Sequence, residues 1–206
     1  MSAKNPTVFV VDDDEAIRDS LNMVLDTVSL NAVTFSSGDE FLEAYDAGWE
    51  GCILLDIRMP GTSGMEVQKR LVAYGCRLPI IFITGHGDIP MAVEAMHVGA
   101  FDFIQKPFQD QDLLDRIDQA LSAREEQEQQ FARKRTIEKQ LKTLTPREHE
   151  VMKLVVNGAA NKVIAMDLGV SQRTVEIHRA RAMEKMQARS LAELVRMALL
   201  VESWKA

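Results

Sequence analysis

The chain has few cysteines and no long apolar run, and both shortages limit what it can be. Cys52 and Cys76 are its two cysteines, too few for a disulfide framework and without the spacing of a metal site. Apolar runs such as Val8–Val11 and Ile80–Ile83 are much too short to cross a bilayer. The first residues lack the apolar stretch of a signal peptide, and the histidines are scattered rather than spaced as metal ligands. We therefore expect a protein of the reducing cytoplasm that does not enter a membrane.

Acidic residues are concentrated in the first part of the chain. Residues 1–122 hold 8 Lys and Arg against 20 Asp and Glu, a net charge of −12, whereas residues 123–143 carry +2 and residues 144–206 carry +3. An acidic part joined to a mildly basic part predicts two domains with separate roles. The basic charge of the second part permits binding to nucleic acid but does not establish it.

Short apolar runs alternate with amphipathic segments over the first 120 residues. Runs of four or five apolar residues are typical of strands buried on both faces of a parallel sheet. Five strand–helix units predict a doubly wound α/β domain with right-handed crossovers. The predicted strands are Val8–Val11, Ala32–Phe35, Cys52–Leu55, Ile80–Thr84 and Phe101–Gln105, and helices are expected over 15–27, 38–47, 64–73, 90–98 and from residue 110 onward.

The rest of the chain has helical patterns. Residues 122–143 have no Gly or Pro and few apolar side chains; disorder is one interpretation, but helix formers dominate and favour a solvated helical linker. Beyond it, Thr145, Pro146 and Glu148 have the spacing of a capping box that begins a helix. Further helices are expected over 161–168, 172–186 and 191–202, which predicts an all-α four-helix domain over 144–206.

Polar residues follow the predicted strands, and ligand sites of such sheets form at the carboxyl ends of the strands. Asp12 and Asp13 come directly after the first strand, and Asp56 follows the third. Thr84 ends the fourth strand, and Lys106 follows the fifth. The sheet should therefore gather three carboxylates, a hydroxyl and an ammonium group in one pocket.

These groups together can form a phosphorylation site. Three carboxylates at close range repel one another, and a hard divalent cation such as Mg²⁺ removes that repulsion. A carboxylate beside Mg²⁺ can attack phosphorus and form an aspartyl phosphate. The cation and a lysine neutralise charge on the phosphoryl oxygens, while a hydroxyl donates to one of them. Asp56, Asp13, Lys106 and Thr84 supply those parts.

The segments VVDDD, LLDIRMPGTSG, FITGHGD and FIQKPF resemble those of the receiver domains of two-component response regulators. The resemblance extends over residues 5–121 and implies a flavodoxin-like fold. It implies that Asp56 is the phosphoacceptor. It also implies that Mg²⁺ is bound by Asp13, Asp56 and the backbone carbonyl of Arg58, with Asp12 acting through water.

The same resemblance assigns the switch residues. It implies that Thr84 and Lys106 contact the phosphoryl group and that Phe103 occupies the aromatic switch position. It also implies a cis peptide bond between Lys106 and Pro107.

Each of these residues also has an ordinary structural interpretation. Asp12–Asp14 alone could cap a helix, Lys106 could be a surface lysine, and Thr84 could simply end a strand. Their joint occurrence at four strand ends favours the phosphorylation site. Haloacid-dehalogenase-like phosphatases also use a strand-end Asp, but they need a second Asp two residues later, where this chain has Arg58.

Residues 161–186 have helix-turn-helix form, with a short helix, a turn at Gly169 and a longer helix. Such a unit can also serve as a plain packing unit. One face of the longer helix suits a major groove, because Arg can bind guanine, Glu can accept from cytosine and Ile can touch a thymine methyl. The candidate DNA contacts are Asn161, Lys162, Ser171, Arg173, Thr174, Glu176, Ile177, His178, Ala180, Arg181 and Lys185.

The segment from Leu144 to Met186, LTPREHEVMKLVVNGAANKVIAMDLGVSQRTVEIHRARAMEKM, closely resembles the LuxR-type DNA-binding domain. The receiver segments ITGHGD and PMAVEAM resemble the FixJ branch that carries this domain. The whole pattern implies a regulator, not an enzyme with a released substrate. A sensor histidine kinase would phosphorylate it, and the homodimer would bind promoter DNA and act on RNA polymerase, most simply as an activator.

Two other hypotheses fit the sequence. The receiver could act through protein contact alone, with a vestigial helical domain. Alternatively, the chain could bind DNA regardless of phosphorylation.

Overall fold

A computed structural model of the chain describes residues 6–85 and 89–201. The histidine and the Gly-Asp pair of the FITGHGD segment lie outside these residues. So does Glu202, the predicted end of the last helix. The chain divides into two compact units, residues 1–126 and residues 127–206.

The first unit is built on a parallel sheet of five strands in the order β2-β1-β3-β4-β5. This order is that of flavodoxin-like folds, so the predicted fold class is confirmed. The predicted strands agree with the observed ones to within a residue at each end. The strands are β1 (Thr7–Val11), β2 (Asn31–Phe35), β3 (Gly51–Asp56), β4 (Ile80–Thr84) and β5 (Asp102–Gln105).

Side chains of the central strands alternate between two apolar layers. Phe9 and Val11 of β1 belong to one core cluster, whereas Val8 and Val10 belong to the other. Cys52 lies in the second cluster and is fully buried, as a small core residue should be. Both faces of the sheet are therefore covered, which is why the strand sequences are apolar throughout rather than alternating.

Helices connect the strands and end the first unit. They are α1 (Glu15–Thr27), α2 (Gly38–Ala44), α3 (Gly64–Ala73), α4 (Ile89–Val98) and α5 (Asp110–Leu141). The predicted extension of α2 to residue 47 is wrong. The Asp46 side chain accepts a hydrogen bond from Gly48 N at 2.6 Å, and this local turn replaces the last helical turn.

The linker segment is helical, as the composition favoured. Residues 122–141 continue α5, which has 32 residues in all. Leu113 and Ile117 near its start are buried in the core of the first unit. Ile137 and Leu141 near its end are buried in the core of the second unit.

The second unit continues with helices throughout, as predicted. They are α6 (Pro146–Val156), α7 (Asn161–Asp167), α8 (Gln172–Lys185) and α9 (Leu191–Leu200). Thr145 and Glu148 form the predicted capping box at the start of α6, and Ser171 caps α8. Within the described residues, no helix is both long and apolar enough to span a membrane.

Candidate functional site

The sheet brings four predicted site residues to its carboxyl edge. Asp12 directly follows β1, Asp56 ends β3, Thr84 ends β4, and Lys106 directly follows β5. These strands lie side by side, with Val11 opposite Leu55 and Thr84 opposite Gln105 in the register. The side chains therefore meet because of strand order, across up to 94 residues of sequence.

Lys106 joins the two buried carboxylates at this edge. Its Nζ lies 2.8 Å from Asp12 Oδ2 and 2.9 Å from Asp56 Oδ1. Asp12 is 1% exposed and Asp56 is 7% exposed. Backbone N–H of Lys106 donates to the Thr84 carbonyl at 2.7 Å, which fixes the residue at the strand end. The lysine thus lies where a phosphoryl group on Asp56 would need a cation.

The second oxygen of each carboxylate is held by the backbone. Arg58 N donates to Asp56 Oδ2 at 2.7 Å, and Asp14 N donates to Asp12 Oδ1 at 2.9 Å. The Arg18 guanidinium also donates to the Asp12 carbonyl at 2.7 Å. The two bonds from backbone N–H groups fix the orientation of both carboxylates before any ligand arrives.

The environment shifts the protonation equilibria of the pocket. Burial raises the pKa of Asp56, and the charge of Asp12 adds to this rise, while Lys106 opposes it. Burial alone would lower the pKa of Lys106, but its hydrogen bonds to Asp12 and Asp56 outweigh that effect, and the pKa is raised. The lysine therefore stays charged between the two carboxylates.

The remaining residues predicted for this site are less tightly gathered. Asp13 is exposed. The Thr84 hydroxyl is fully buried and donates to the Ile104 carbonyl at 3.3 Å, and Phe103 is half-buried against the core. The Lys106–Pro107 peptide bond is cis, as the resemblance implied.

Gly64 is a further residue of this site that the sequence reasoning did not single out. It begins α3, and a Cβ added there would lie 2.1 Å from the carbonyl oxygen of Asp56. Its N–H donates to the Ile57 carbonyl at 3.0 Å. The backbone of α3 therefore approaches Asp56 so closely that only glycine fits.

Gly64→Ala should lower the free energy of unfolding by about 2 kcal/mol or more, because the new methyl group meets backbone that cannot move independently. Urea unfolding followed by tryptophan fluorescence measures this loss. Gly48→Ala is the matched control, since an added Cβ there meets only the Asp46 side chain, at 2.9 Å. Equal stability of the two variants would show that α3 can shift away from Asp56.

The second unit contains the predicted helix-turn-helix in α7 and α8. Val175, Ala182 and Met186 are fully buried and form the core face of α8. Ile177, by contrast, is 44% exposed, although it is a large apolar side chain. It lies on the opposite, exposed face with Arg173, Glu176 and Ala180.

The other candidate DNA contacts have differing surroundings. Lys162 and Arg181 are exposed, whereas Thr174 and His178 are half-buried. The Ser171 side chain caps α8, and Asn161 Oδ1 accepts from Arg179 at 3.2 Å. Lys185 Nζ contacts Glu148 Oε2 at 2.6 Å. The structure therefore leaves the Arg173 face open and pairs Lys185 within the unit.

Comparisons with known proteins agree with this division. Residues 8–118 match the model of the response regulator receiver domain, and residues 142–198 match that of bacterial regulatory proteins of the luxR family. The chain is 47% identical over 193 residues to the transcriptional regulatory protein FixJ of Azorhizobium caulinodans, covering 94% of this chain and 92% of that protein. The chain is a response regulator of the LuxR/FixJ family.

Other similar proteins are also response regulators. This response regulator is 40% identical to the response regulator protein TodT of Pseudomonas putida, over 95% of this chain and 86% of that one. The solved structure of the response regulator StyR matches with a TM-score of 0.82 and 43% identity, covering 96% of this chain and 100% of that one. Full-length FixJ from B. japonicum matches with a TM-score of 0.62 and 43% identity, covering 96% and 98%. The chain is accordingly a transcription regulator and not an enzyme.

Receiver domains are known to bind Mg²⁺ at their acidic site, and the residues of this response regulator fit the ion. Asp12, Asp13, Asp56 and the carbonyl of Arg58 are oxygen donors of the kind that Mg²⁺ prefers. Burial raises the pKa of Asp56, so a cation beside it would stabilise its charged form. Among residues 6–85 and 89–201, no three His, Cys, Asp or Glu side chains are gathered as a ready metal site. Lys106 is the cation that joins Asp12 and Asp56 in this arrangement.

Lys106→Ala should leave Mg²⁺ affinity intact or strengthen it by up to about fivefold, the factor that about 1 kcal/mol of relieved repulsion gives. If Asp56 is phosphorylated and Lys106 is the cation that pairs with the phosphoryl group, the same substitution should also uncouple phosphorylation from dimerisation. Calorimetric titration with MgCl₂ measures the affinity. Lys69→Ala, which removes an exposed lysine paired with Glu94, is the control. A large loss of affinity in Lys106→Ala would contradict its role as a phosphate-binding group.

Proposed function

We propose that a sensor histidine kinase phosphorylates Asp56 and that this modification promotes dimerisation and sequence-specific DNA binding. The observation that carries the proposal is the contact of Lys106 Nζ with both Asp12 and Asp56 at the carboxyl edge of the sheet. The homodimer binds promoter DNA in the cytoplasm and acts on RNA polymerase, most simply as an activator.

The chemistry is a transfer from one protein side chain to another. A carboxylate oxygen of Asp56 attacks the phosphorus of a phosphohistidine, the P–N bond breaks, and the imidazole leaves with its electron pair. Bound Mg²⁺ supplies positive charge for the phosphoryl oxygens. Lys106 moves its hydrogen bond from the Asp56 carboxylate to the new phosphoryl group. Arg58 N–H keeps the second Asp56 oxygen oriented during the transfer.

The proposed switch begins at Thr84. Its hydroxyl now donates to the Ile104 carbonyl, and it would exchange that bond for one to a phosphoryl oxygen. Phe103, which is half-buried on the next strand, would fill the space that Thr84 leaves. The face formed by α4 and β5 then changes and dimerises.

Dimerisation matters because one helix-turn-helix reads only a few base pairs. The exposed face of α8 carries Arg173, Glu176, Ile177 and Ala180, which suit base edges. Six further residues around this face of α8 suit phosphate contacts or help to hold the face in place. They are Lys162, Arg181, Asn161, Ser171, Thr174 and His178. Joining two receivers raises the local concentration of the second helix-turn-helix at an adjacent half-site.

A gel shift with and without a small phosphodonor tests the proposal. The probe is a duplex enriched from a random-sequence library by the unsubstituted chain, and Asp56→Asn is the control. We expect the phosphodonor to strengthen binding of the unsubstituted chain only. Failure to enrich any duplex from the library, with or without the phosphodonor, would favour a receiver that acts by protein contact alone. Equal binding in both states would favour a DNA-binding protein that is independent of phosphorylation.

A further inference from the structure

Glu148 joins the start of α6 to the end of α8 through one carboxylate oxygen. Its Oε2 accepts from Lys185 Nζ at 2.6 Å and from Thr145 N at 2.8 Å. The Glu148 side chain is only 4% exposed. The hydrogen bond from Lys185 and that from the Thr145 backbone hold the pKa of Glu148 below its ordinary value. A carboxylate removed from water in this way depends on its cation, because a buried charge without a partner is strongly unfavourable.

Arg147, next to Glu148, contacts the turn of the helix-turn-helix. The guanidinium of Arg147 donates to the carbonyl of Leu168 at 3.0 Å and to Glu150 Oε2 at 2.7 Å. Leu168 is the C-cap of α7, directly before the turn into α8. The first turn of α6 therefore contacts the C-cap of α7 through Arg147 and the last turn of α8 through Glu148.

From this geometry we infer that Lys185 is a positioning residue for α8 rather than a contact to DNA phosphate. The inference rests on the proposed role of α8 as the helix that reads DNA. Lys185 ends α8, twelve residues after Arg173, and about 18 Å from it at about 1.5 Å per residue. The pair of Lys185 with Glu148 fixes the last turn of α8 against α6 and so keeps the Arg173 face at a constant angle to the groove. Loss of the Lys185–Glu148 pair lets that angle change, and base contacts are lost before phosphate contacts.

The two roles of a lysine differ in their salt dependence. A phosphate contact releases a counterion, so its removal weakens all sequences alike and lowers the slope of log K against log salt by about 1. A positioning residue affects base contacts, so its removal weakens the preferred sequence most and leaves the slope unchanged. Lys162, which is exposed on α7, serves as the phosphate-contact control.

The test measures binding of the full chain by fluorescence anisotropy over a range of KCl concentrations. The two probes are the duplex enriched from a random library and a duplex of the same composition in scrambled order. The variants are Lys185→Met, Lys185→Gln, Lys185→Arg, Glu148→Gln, the double variant Glu148→Gln/Lys185→Met, Lys162→Met and Arg173→Ala. Circular dichroism melting identifies any variant that does not fold.

We expect Lys185→Met to bind the enriched duplex about tenfold more weakly, comparable to the loss of one base contact, with an unchanged salt slope. Lys185→Arg should retain binding, and Lys185→Gln, which can still donate to Glu148, should retain most of it. The double variant should bind the enriched duplex no more weakly than Lys185→Met, because both substitutions remove the same interaction between Glu148 and Lys185. Lys162→Met should weaken both duplexes and lower the slope.

Two results would overturn the inference. One is a lower salt slope with equal weakening of both duplexes in Lys185→Met, or in Lys185→Gln if the former does not fold. The other is additive losses from Glu148→Gln and Lys185→Met. Failure of the proposed function would look different, because Arg173→Ala would then discriminate between the duplexes as well as the unsubstituted chain does.

Discussion

Replacement of Asp56 by Asn is expected to reduce phosphorylation of the chain below detection. The asparagine amide has nearly the same shape as the carboxylate, but it is not a nucleophile toward phosphorus. Lys106 and Arg58 N–H both contact Asp56, which is 7% exposed, whereas Asp12, the other carboxylate that Lys106 contacts, is 1% exposed and less open to a phosphodonor. Incubation with acetyl phosphate and Mg²⁺, followed by intact-mass spectrometry, measures the gain of one phosphoryl group.

Asp46→Asn is the matched control for this experiment. Asp46 is an exposed carboxylate whose Oδ1 accepts from Gly48 N, a bond that asparagine can also accept. The control should gain the full mass of one phosphoryl group, because Asp46 is not one of the residues of the acidic pocket. An undiminished mass gain in Asp56→Asn would mean that Asp12, Asp13 or another side chain is the acceptor.

The positions of Asp12, Asp56, Thr84 and Lys106 could be predicted from the sequence. Buried parallel strands are continuous apolar runs, so their ends are visible as the first polar residue after each run. The strand order came with the resemblance to receiver domains, which implies a flavodoxin-like fold, and the site follows from the strand order. The exposed face of α8 could be predicted in the same way, because Val175, Ala182 and Met186 recur at helical spacing.

Other features depend on contacts that have no sequence period. Gly64 is separated from Asp56 by a loop whose path decides that α3 starts against the Asp56 carbonyl. Lys185 is among the predicted DNA contacts, and its pairing with a carboxylate 37 residues away has no signal in the sequence. The end of α2 depends on a single side-chain hydrogen bond at Asp46. Such features are set by tertiary packing or by side chains that compete with the helix for backbone hydrogen bonds. Residue types alone do not determine either of these.

The helical unit should not fold stably without the end of α5. Ile137 is 1% exposed and Leu141 is 9% exposed, and both lie in the core with α6, α8 and α9 side chains. Loss of a buried Ile or Leu side chain costs about 2–5 kcal/mol, and small domains have only about 5–15 kcal/mol in total. A fragment of residues 127–206 should therefore unfold cooperatively, whereas a fragment of residues 144–206 should be largely unfolded at 25 °C.

Circular dichroism during urea titration compares the two fragments, and single substitutions in the longer one separate core contacts from helix length. Ile137→Ala should lower its free energy of unfolding by about 3 kcal/mol, since a cavity replaces a buried side chain. Arg135→Ala, which changes an exposed position of the same helix, should alter it by less than about 0.5 kcal/mol. If the shorter fragment unfolds at the same urea concentration as the longer one, Ile137 and Leu141 contribute little, and the helical unit is self-sufficient from Leu144 onward.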